Sequence, residues 1–411
     1  MIQRSTRLDS VHYELRGPVY EAAKELELQG HMITKLNIGN PTPFGFQAAP
    51  AVVAQIVENL QQAQGYSDHK GLLEAREALR LYYRDRGIEG VHTEDIFIGN
   101  GVSELILHAV EALLNEGDEV LIPTPDYPLW TAAVRFSGGK AVHYLCDEES
   151  DWNPDLADIQ SKITSRTRAI VIINPNNPTG AVYSPQVLQQ LMQLAEEHEL
   201  VVFSDEIYDK ILYDGAVHYP TAIFSDKVLT ITFSGLSKNY LAAGFRAGWM
   251  VISGPVANAT RYIDGLNTLA SLRVCSNVPA QYGIKTAVES DKNMHDLVQP
   301  TGRLGLQREL CYSRLTAIPG ITCVKPKGAF YLFPKIDVRK FKIRNDQQFV
   351  LDFLREQHVL LVQGSGFNWQ QPDHFRVVYL PELAELRLTM DKLATFLETY
   401  QQGVPATSVF V

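Results

Sequence analysis

The sequence predicts an α/β domain built on a largely parallel sheet, followed by a smaller α+β lobe. Short runs rich in β-branched residues alternate with stretches in which apolar residues recur three and four positions apart. The first pattern predicts buried strands and the second predicts amphipathic helices. Their alternation is typical of a parallel sheet with crossover helices. After about residue 300 this alternation stops, which indicates a second lobe.

These two patterns predict where the strands and helices lie. Strands are predicted at 95–99, 120–123, 169–173, 200–204 and 228–233, with helices at 72–84, 103–114 and 186–198. In the second lobe we expect a helix at 303–317, strands at 322–325 and 329–333, a helix, two more strands and a final helix at 382–400. The first forty residues are punctuated by Pro and Gly, so we expect them to lie against the second lobe or its cleft.

Composition excludes several classes of protein. The 411 residues carry a net charge of −10 without a cluster of Lys or Arg, which argues against a nucleic-acid partner. The four cysteines form no CxxC pair, and the N-terminus has no apolar signal region, so a cytoplasmic protein with reduced thiols is predicted. The apolar runs are too short to span a membrane. The eleven histidines form no HExxH motif, so no metal site is predicted.

Five short segments follow predicted strands, and the first is Gly99–Ser103. Its small residues let backbone N–H groups approach an anion, and a following helix favours a phosphate there. On this segment alone, a tight turn between strand and helix is the favoured explanation. It is not a dinucleotide fingerprint, because Glu104 stands where the last glycine of GxGxxG is required. It also lacks the GK[ST] ending of a P-loop.

The second and third segments place an aromatic ring and an amide after strands. Tyr127 follows the predicted strand at 120–123, where a ring can stack on a planar ligand, although packing alone also explains it. Asn177 lies in the run Asn-Pro-Asn-Asn-Pro-Thr-Gly at 174–180. The prolines and the glycine fix a rigid turn, but a turn does not need three asparagines. An amide at Asn177 is therefore a candidate partner for a cofactor oxygen.

The fourth and fifth segments carry an acid and an amine. Asp205 lies at a predicted strand end, where a buried carboxylate costs several kcal/mol unless a cation pairs with it, whether in the cleft or on a nearby Arg. Lys238 follows a turn of small residues, eight positions before Arg246. A lone lysine is ordinarily a solvated surface residue, but in a cleft it loses its proton and forms a Schiff base. An amine, an acid, an aromatic ring, amide donors and an anion cradle are together what a pyridoxal phosphate site requires.

With these motifs the sequence resembles the fold-type I pyridoxal-phosphate enzymes, specifically the class I aminotransferases. The resemblance covers essentially the whole chain and rests on four stretches: NPNNPTG at 174–180, SDEIY at 204–208, SGLSKNYLAAGFRAGW at 234–249 and HFRVV at 374–378. Within the family the chain is most similar to the bacterial glutamate–pyruvate (alanine) aminotransferases. That narrower match lies in LNIGNPTPFGF at 36–46, QGYSDHKGL at 64–72 and GNGVSELI at 99–106.

The resemblance implies an architecture. A large domain at 46–295 would hold the cofactor on a mostly parallel seven-stranded sheet flanked by helices, and a smaller α+β domain would occupy 296–411. An N-terminal segment at 1–45 would pack on the small domain and the cleft. The family pattern also implies a homodimer in which Tyr66 reaches the phosphate of the neighbouring subunit.

The resemblance also assigns roles around the cofactor ring. Lys238 would form the Schiff base and then act as the base of the proton shift, and Asp205 would pair with the ring nitrogen. Asn177 and Tyr208 would hydrogen-bond the phenolic oxygen, and Tyr127 would stack on the ring.

The phosphate would be bound by the amides of Val102 and Ser103 and by the side chains of Arg246 and Ser237. One position departs from the family pattern. Where a serine often stands three residues before the lysine, this chain has Gly235 between Ser234 and Ser237. Either serine is therefore a candidate phosphate ligand.

Substrate contacts follow from the same resemblance. Arg376 would clamp the substrate α-carboxylate, with Gly39 and Asn177 beside it. Tyr13 and Arg16 would narrow the side-chain pocket or hold a lid over it. On the alternative view, Arg16 makes a surface ion pair and Tyr13 packs on the small lobe.

The implied reaction is ping-pong transfer of an amino group between L-alanine/pyruvate and L-glutamate/2-oxoglutarate. Relatives that bind dicarboxylates carry an arginine four residues before a turn that corresponds to 276–279. Here that place is Leu272, and Arg273 is one position away, which favours a small side chain. The alternatives are an aminotransferase of another neutral or aromatic amino acid and a C–S β-lyase. A regulator would need a DNA-binding module, for which the forty residues before the fold leave no room.

Overall fold

The computed structural model describes residues 2–11, 17–290 and 292–403, and the elements below are those of these ranges. The strands are β1 (Thr34–Lys35), β2 (Ile96–Gly99), β3 (Glu119–Thr124), β4 (Lys140–Asp147), β5 (Asn153–Pro154), β6 (Thr167–Ile173), β7 (Val201–Asp205), β8 (Thr230–Gly235), β9 (Gly248–Ser253), β10 (Ile321–Thr322), β11 (Tyr331–Leu332), β12 (Lys335–Ile336), β13 (Val359–Leu360), β14 (Val362–Gln363) and β15 (Phe375–Val378). The α-helices are α1 (Pro18–Leu28), α2 (Pro50–Glu58), α3 (Leu73–Arg84), α4 (Val102–Leu113), α5 (Leu129–Phe136), α6 (Leu156–Lys162), α7 (Pro185–Glu197), α8 (Thr260–Leu272), α9 (Val278–Glu289), α10 (Lys292–Val298), α11 (Arg303–Thr316), α12 (Asp346–Gln357) and α13 (Leu383–Thr399).

Eight strands form the central sheet, in the order β2-β9-β8-β7-β6-β3-β4-β5. The pairs among β8, β7, β6, β3 and β4 are parallel. Strands β9 and β5 run antiparallel to their neighbours. The family resemblance implies seven strands, and β5 is a two-residue addition at the edge of these.

The sheet has a core on each face, as its uninterrupted apolar strands predict. Along β6, Ile170 and Ile172 belong to a cluster that includes Leu188 and Leu191 of α7. Val171, one position away, belongs to a second cluster with residues of α4 and α5. Because successive side chains alternate between faces, an apolar run without polar interruption requires helices on both sides.

The carboxyl ends of the central strands meet at one edge of the sheet. Strands β3, β6, β7 and β8 run in the same direction, and so does β2, because it is antiparallel to β9, which is itself antiparallel to β8. The five segments singled out in the sequence follow or end these five strands. This edge is where open α/β sheets bind ligands.

The second lobe contains small sheets covered by helices. Strands β11, β15 and β14 form one sheet, with β15 in the centre, and β10 pairs with β12. The N-terminal segment joins this lobe, since β1 pairs in parallel with β13 and α1 packs on α12. Directly after β1, residues 37–40 run into the cleft between the lobe and the central sheet.

The five predicted strands of the large sheet and the five helices predicted with bounds are confirmed, with ends shifted by at most two residues. The further helix predicted in the second lobe is α12, and three strands follow it where two were predicted. Strands β4, β5 and β9 of the large sheet were not predicted. β4 begins at the exposed Lys140 and is half-buried along much of its length, so it shows no clean apolar pattern. The predicted strands at 322–325 and 329–333 shorten to two residues each, because Pro326 cannot donate a ladder hydrogen bond and Ala329 adopts a positive φ of 58°.

Among the described residues, every helix is too short or too polar to cross a membrane.

Candidate active site

A cavity of about 750 Å³ lies where the carboxyl edge of the sheet meets the second lobe. It is lined by eleven of the residues proposed from the sequence: Gly39, Val102, Ser103, Tyr127, Asn177, Asp205, Tyr208, Ser237, Lys238, Arg246 and Arg376. Tyr66 lies apart from them, with a side chain that is 86% exposed. Tyr13 and Arg16 lie outside the described residues.

One end of the cavity is built around the first turn of α4. Helix α4 begins at Val102, one residue before the predicted start, so Val102 and Ser103 present N–H groups that lie at a helix N-terminus. Gly101, with φ of 82°, lets the Arg246 guanidinium approach so closely that a Cβ at this position would collide with it. Arg246 is fixed there by a hydrogen bond from Nη2 to the Asn100 carbonyl, at 3.0 Å. Backbone donors, a helix dipole and a guanidinium together form a site for a phosphate.

The two candidate serines lie in different places. Ser237 lines the cavity, whereas Ser234 lies within β8 and is not among the lining residues. Of the two candidate serines, Ser237 is therefore the one that faces the cavity.

Asp205 ends β7 and is buried at the floor of the cavity. Its carboxylate accepts hydrogen bonds from the indole Nε1 of Trp130 at 3.2 Å and from the backbone N–H of Ile207 at 3.4 Å. Burial raises the pKa of this carboxyl to about 6, because these two neutral donors only partly offset the desolvation of the charged form. A cation in the cavity would supply the positive charge that these donors do not.

Lys238 lies on the loop after β8, and its ammonium group donates a hydrogen bond to the Gly39 carbonyl. Burial, together with the positive charges of Arg376 and Arg246, lowers the pKa of Lys238 to about 8. A lysine held in this way releases its proton far more easily than an exposed one, which suits both a nucleophile and a base.

The other end of the cavity is built around Arg376, which lies in the middle of β15 and is buried. Its Nη1 donates to Asn177 Oδ1 at 2.8 Å, and its Nη2 donates to the Asn37 carbonyl. The guanidinium lies over the rings of Tyr331 and Phe367, 4.5 Å from each centroid. These contacts fix the plane of the guanidinium, which favours bidentate binding of a carboxylate.

Two residues of this site were missed in the sequence. Trp130 reads as a packing residue of α5, and the one signal of its role is its spacing of three residues from Tyr127, about one helical turn. Tyr331 reads as a core strand residue in Ala-Phe-Tyr-Leu-Phe, because no pattern distinguishes a cavity-facing tyrosine from a packed one.

Leu272 and Arg273, considered for dicarboxylate binding, are both outside the cavity lining. Arg273 pairs with Glu104 at 2.8 Å and donates to the carbonyl oxygens of Ile98 and His69. The side chain of Leu272 is 76% exposed. Within this chain neither side chain lies where a second substrate carboxylate would bind.

Comparison with known proteins places the chain in a family. The profile of the family described as "Aminotransferase class I and II" matches residues 31–393. The chain is 56% identical to the glutamate-pyruvate aminotransferase AlaA of Escherichia coli (strain K12), over 98% of this chain and 99% of that protein. It is 50% identical to the alanine aminotransferase of Mycobacterium tuberculosis (strain ATCC 25618 / H37Rv), over 97% of this chain and 93% of that protein.

Its fold is similar to that of a crystal structure of an aminotransferase from Escherichia coli. The TM-score is 0.97 and the identity 56%, covering 98% of this chain and all of that chain. The matches in sequence and in structure extend over nearly the whole chain, and the family profile at 31–393 spans every residue of the cavity lining. The chain belongs to the class I and II aminotransferases and is a transaminase.

Proposed function

We propose that this protein is a pyridoxal-phosphate-dependent aminotransferase that moves an amino group between L-alanine/pyruvate and L-glutamate/2-oxoglutarate. The observation that carries the proposal is that Lys238, Asp205 and Arg376 face one cavity. The names of the relatives from Escherichia coli and Mycobacterium tuberculosis support the choice of substrates.

The residues present fit the cofactor. The α4 N-terminus with Arg246 suits its phosphate, and Asp205, whose hydrogen-bond donors are both neutral, suits a protonated ring nitrogen. Tyr127 lines the cavity and offers a ring for stacking. Because Asn177 Oδ1 accepts from Arg376, its Nδ2 is the atom left to donate to the phenolic oxygen, alongside the Tyr208 hydroxyl. Ser237 is the serine we assign to the phosphate.

Pyridoxal phosphate, when bound, supplies an aldehyde that takes the amino group and a ring that accepts electrons from the substrate α-carbon. The residues of the protein bind the substrate, move the proton and stabilise the charge. Arg376 binds and orients the substrate carboxylate, with the Gly39 backbone beside it. Lys238 Nζ removes the proton from the α-carbon, a role that suits a pKa near the working pH. Asp205 holds positive charge at the ring nitrogen throughout.

We further propose a homodimer in which Tyr66 completes the phosphate site of the partner. The 86% exposure of Tyr66 supports this, since an exposed tyrosine is free to reach another subunit. Apolar side chains nearby in sequence are also exposed: Val53, Val57, Leu60 and Leu73. Such a surface is typical of a protein interface.

We divide the chain into an N-terminal segment at 1–45, a cofactor domain at 46–295 and a small domain at 296–411. The pairing of β1 with β13 supports assigning the first segment to the small domain.

An amino-donor panel tests the proposed reaction. The holoenzyme is assayed with L-alanine, L-glutamate, L-aspartate, L-leucine and L-phenylalanine against pyruvate and 2-oxoglutarate. We expect alanine with 2-oxoglutarate, and glutamate with pyruvate, to give the highest kcat/KM. A preference for leucine, phenylalanine or aspartate would overturn the substrate assignment. Pyruvate released from cystathionine without a second oxo acid would indicate a C–S β-lyase instead.

A further inference from the structure

Tyr331 connects the two ends of the cavity. It lies on β11 and lines the cavity, and only 2% of its surface is exposed. Its hydroxyl lies 2.7 Å from the hydroxyl of Tyr208, at the cofactor end. Its ring lies under the Arg376 guanidinium, 4.5 Å from the centroid, at the substrate end. One side chain therefore contacts both the residue proposed to bind the phenolic oxygen and the residue proposed to bind the substrate carboxylate.

The position of this hydroxyl is fixed by backbone. Tyr331 pairs with Val378 in the register of β11 and β15, the strand that carries Arg376. The hydroxyl also lies against the backbone of Gly39, where a Cβ would collide with it. Tyr208 meets the Tyr331 ring edge-on, with centroids 5.7 Å apart. The contact between the two hydroxyls is therefore built into the sheet register and is not the chance meeting of two mobile side chains.

Two hydroxyls at 2.7 Å share one proton in their mutual hydrogen bond, so one must donate and the other accept. A phenol that donates acquires partial negative charge on its oxygen. The charge of Arg376 acts on both hydroxyls, but its guanidinium lies directly over the Tyr331 ring and stabilises negative charge there more strongly. Tyr331 is therefore the better donor of the pair. Tyr208, as the acceptor, keeps its own proton for a third group.

We propose that Tyr331 is a positioning residue of this transaminase: it donates to Tyr208, so that the Tyr208 O–H is directed at the phenolic oxygen of the cofactor. The inference rests on the proposed function, since it assumes that the phenolic oxygen lies beside Tyr208. It adds a link between the two ends of the cavity. When a substrate carboxylate neutralises Arg376, the charge that favours donation by Tyr331 is reduced, and the hydrogen bond to the phenolic oxygen weakens with it.

Two single variants and their double test the link. The holoenzymes of wild type, Tyr331→Phe, Tyr208→Phe and the double variant are titrated with pH, following the absorbance of the cofactor bound to Lys238. A donor to the phenolic oxygen favours loss of the proton from the nitrogen next to it, so removing the donor raises the midpoint. We expect Tyr208→Phe to raise the midpoint and Tyr331→Phe to raise it by about half a pH unit, the size of a modest change in one hydrogen bond.

The double variant separates a link from two independent effects. If Tyr331 acts through Tyr208, the double variant titrates like Tyr208→Phe alone. Tyr379→Phe is the matched control, because Tyr379 is buried and donates to the Ala329 carbonyl outside the cavity lining. Its midpoint should equal that of wild type.

Two results would overturn the inference: an unchanged midpoint in Tyr331→Phe, or shifts that add in the double variant. Failure of the proposed function would look different, because wild type would then show no cofactor absorbance that depends on Lys238.

Discussion

The indole N–H of Trp130 donates a hydrogen bond to the Asp205 carboxylate across 3.2 Å, and both residues are buried. Trp130 also stacks on Phe203, two residues earlier on the same strand as Asp205, with centroids 5.6 Å apart. The carboxylate is thus held in a largely apolar setting by neutral donors. Such a group costs stability in the free protein and is stabilised when a cation binds beside it.

This arrangement predicts an opposite effect of Asp205→Asn on stability and on activity. The folded-state pKa is raised to about 6 from an ordinary value of 3.8, so the native state binds the proton more tightly than the unfolded state does. Stability of the cofactor-free protein therefore falls as pH rises from about 4 to 6. At pH 7, Asp205→Asn should raise the free energy of unfolding by an amount on the order of 2 kcal/mol.

In the holoenzyme the same variant removes the charge at the ring nitrogen. We expect kcat to fall at least a hundredfold, a few kcal/mol in transition-state stabilisation. Urea unfolding of the cofactor-free protein at pH 5 and pH 7, with steady-state kinetics, measures both effects. An unchanged kcat would show that Asp205 is only a structural residue.

The folding pattern of the large sheet was readable from the sequence because its strands are buried on both faces. A strand such as β6 is covered by helices on both faces, so its residues form a nearly continuous apolar run that predicts a strand directly. β9 was harder, because it follows immediately on the glycine-rich loop that carries Lys238. The two-residue strands of the small lobe are set by long-range pairing, which leaves no local period.

The site was predictable where several segments pointed to one cleft. A buried acid such as Asp205 needs a partner, and Lys238, which alone would suggest a surface residue, gained its role from the four other segments. Trp130 and Tyr331 are aromatic residues, which cores also accommodate, and their polar atoms contact groups 75 and 123 positions away in the chain. Only the three-dimensional structure brings those partners together.

A buried polar clamp, formed by Asn239, Asp209 and Arg86, lies beside Lys238 and gives a second prediction. The neighbouring Asn239 donates to Asp209, which is buried and forms an ion pair with Arg86 at 2.8 Å. The clamp joins the loop that carries Lys238 to the segment that carries Tyr208. Asp209→Ala leaves its polar partners without their acceptor, and we expect a loss of about 2 to 4 kcal/mol in the free energy of unfolding.

The control for the clamp is an ion pair at the surface. Lys227 pairs with Glu196 at 3.0 Å, but its side chain is 73% exposed. Lys227→Ala should leave the free energy of unfolding nearly unchanged. Equal losses in the two variants would contradict a special role for Asp209.

Arg376→Lys tests the carboxylate clamp. Lysine keeps the charge but loses the planar fork, so we expect kcat/KM for both amino acids and oxo acids to fall about a hundredfold, mainly through KM. The variant should still bind the cofactor at Lys238. Arg314→Lys, whose guanidinium pairs with Asp391 on the surface, is the matched control and should behave as wild type. A normal KM in Arg376→Lys would place the carboxylate elsewhere.

Mixing two inactive variants tests the shared site. In a hybrid dimer of Lys238→Ala and Tyr66→Ala subunits, one site combines an intact Lys238 with an intact Tyr66 from the partner. We expect refolded mixtures to regain activity that neither parent has, approaching a quarter of wild type if subunits pair at random and each intact site works independently. If the mixture shows only the sum of its parents, Tyr66 serves the site of its own subunit or none.

The attachment of the cofactor to Lys238 tests the central claim most directly. The holoenzyme is reduced with borohydride, digested and mapped by mass spectrometry. Lys210→Arg is the control, because it replaces a different lysine and leaves the loop that carries Lys238 unchanged. The account predicts the cofactor mass on the peptide that contains Lys238 in wild type and in the control, and no fixed cofactor in Lys238→Ala. Cofactor fixed to any other lysine of the wild-type protein would contradict it.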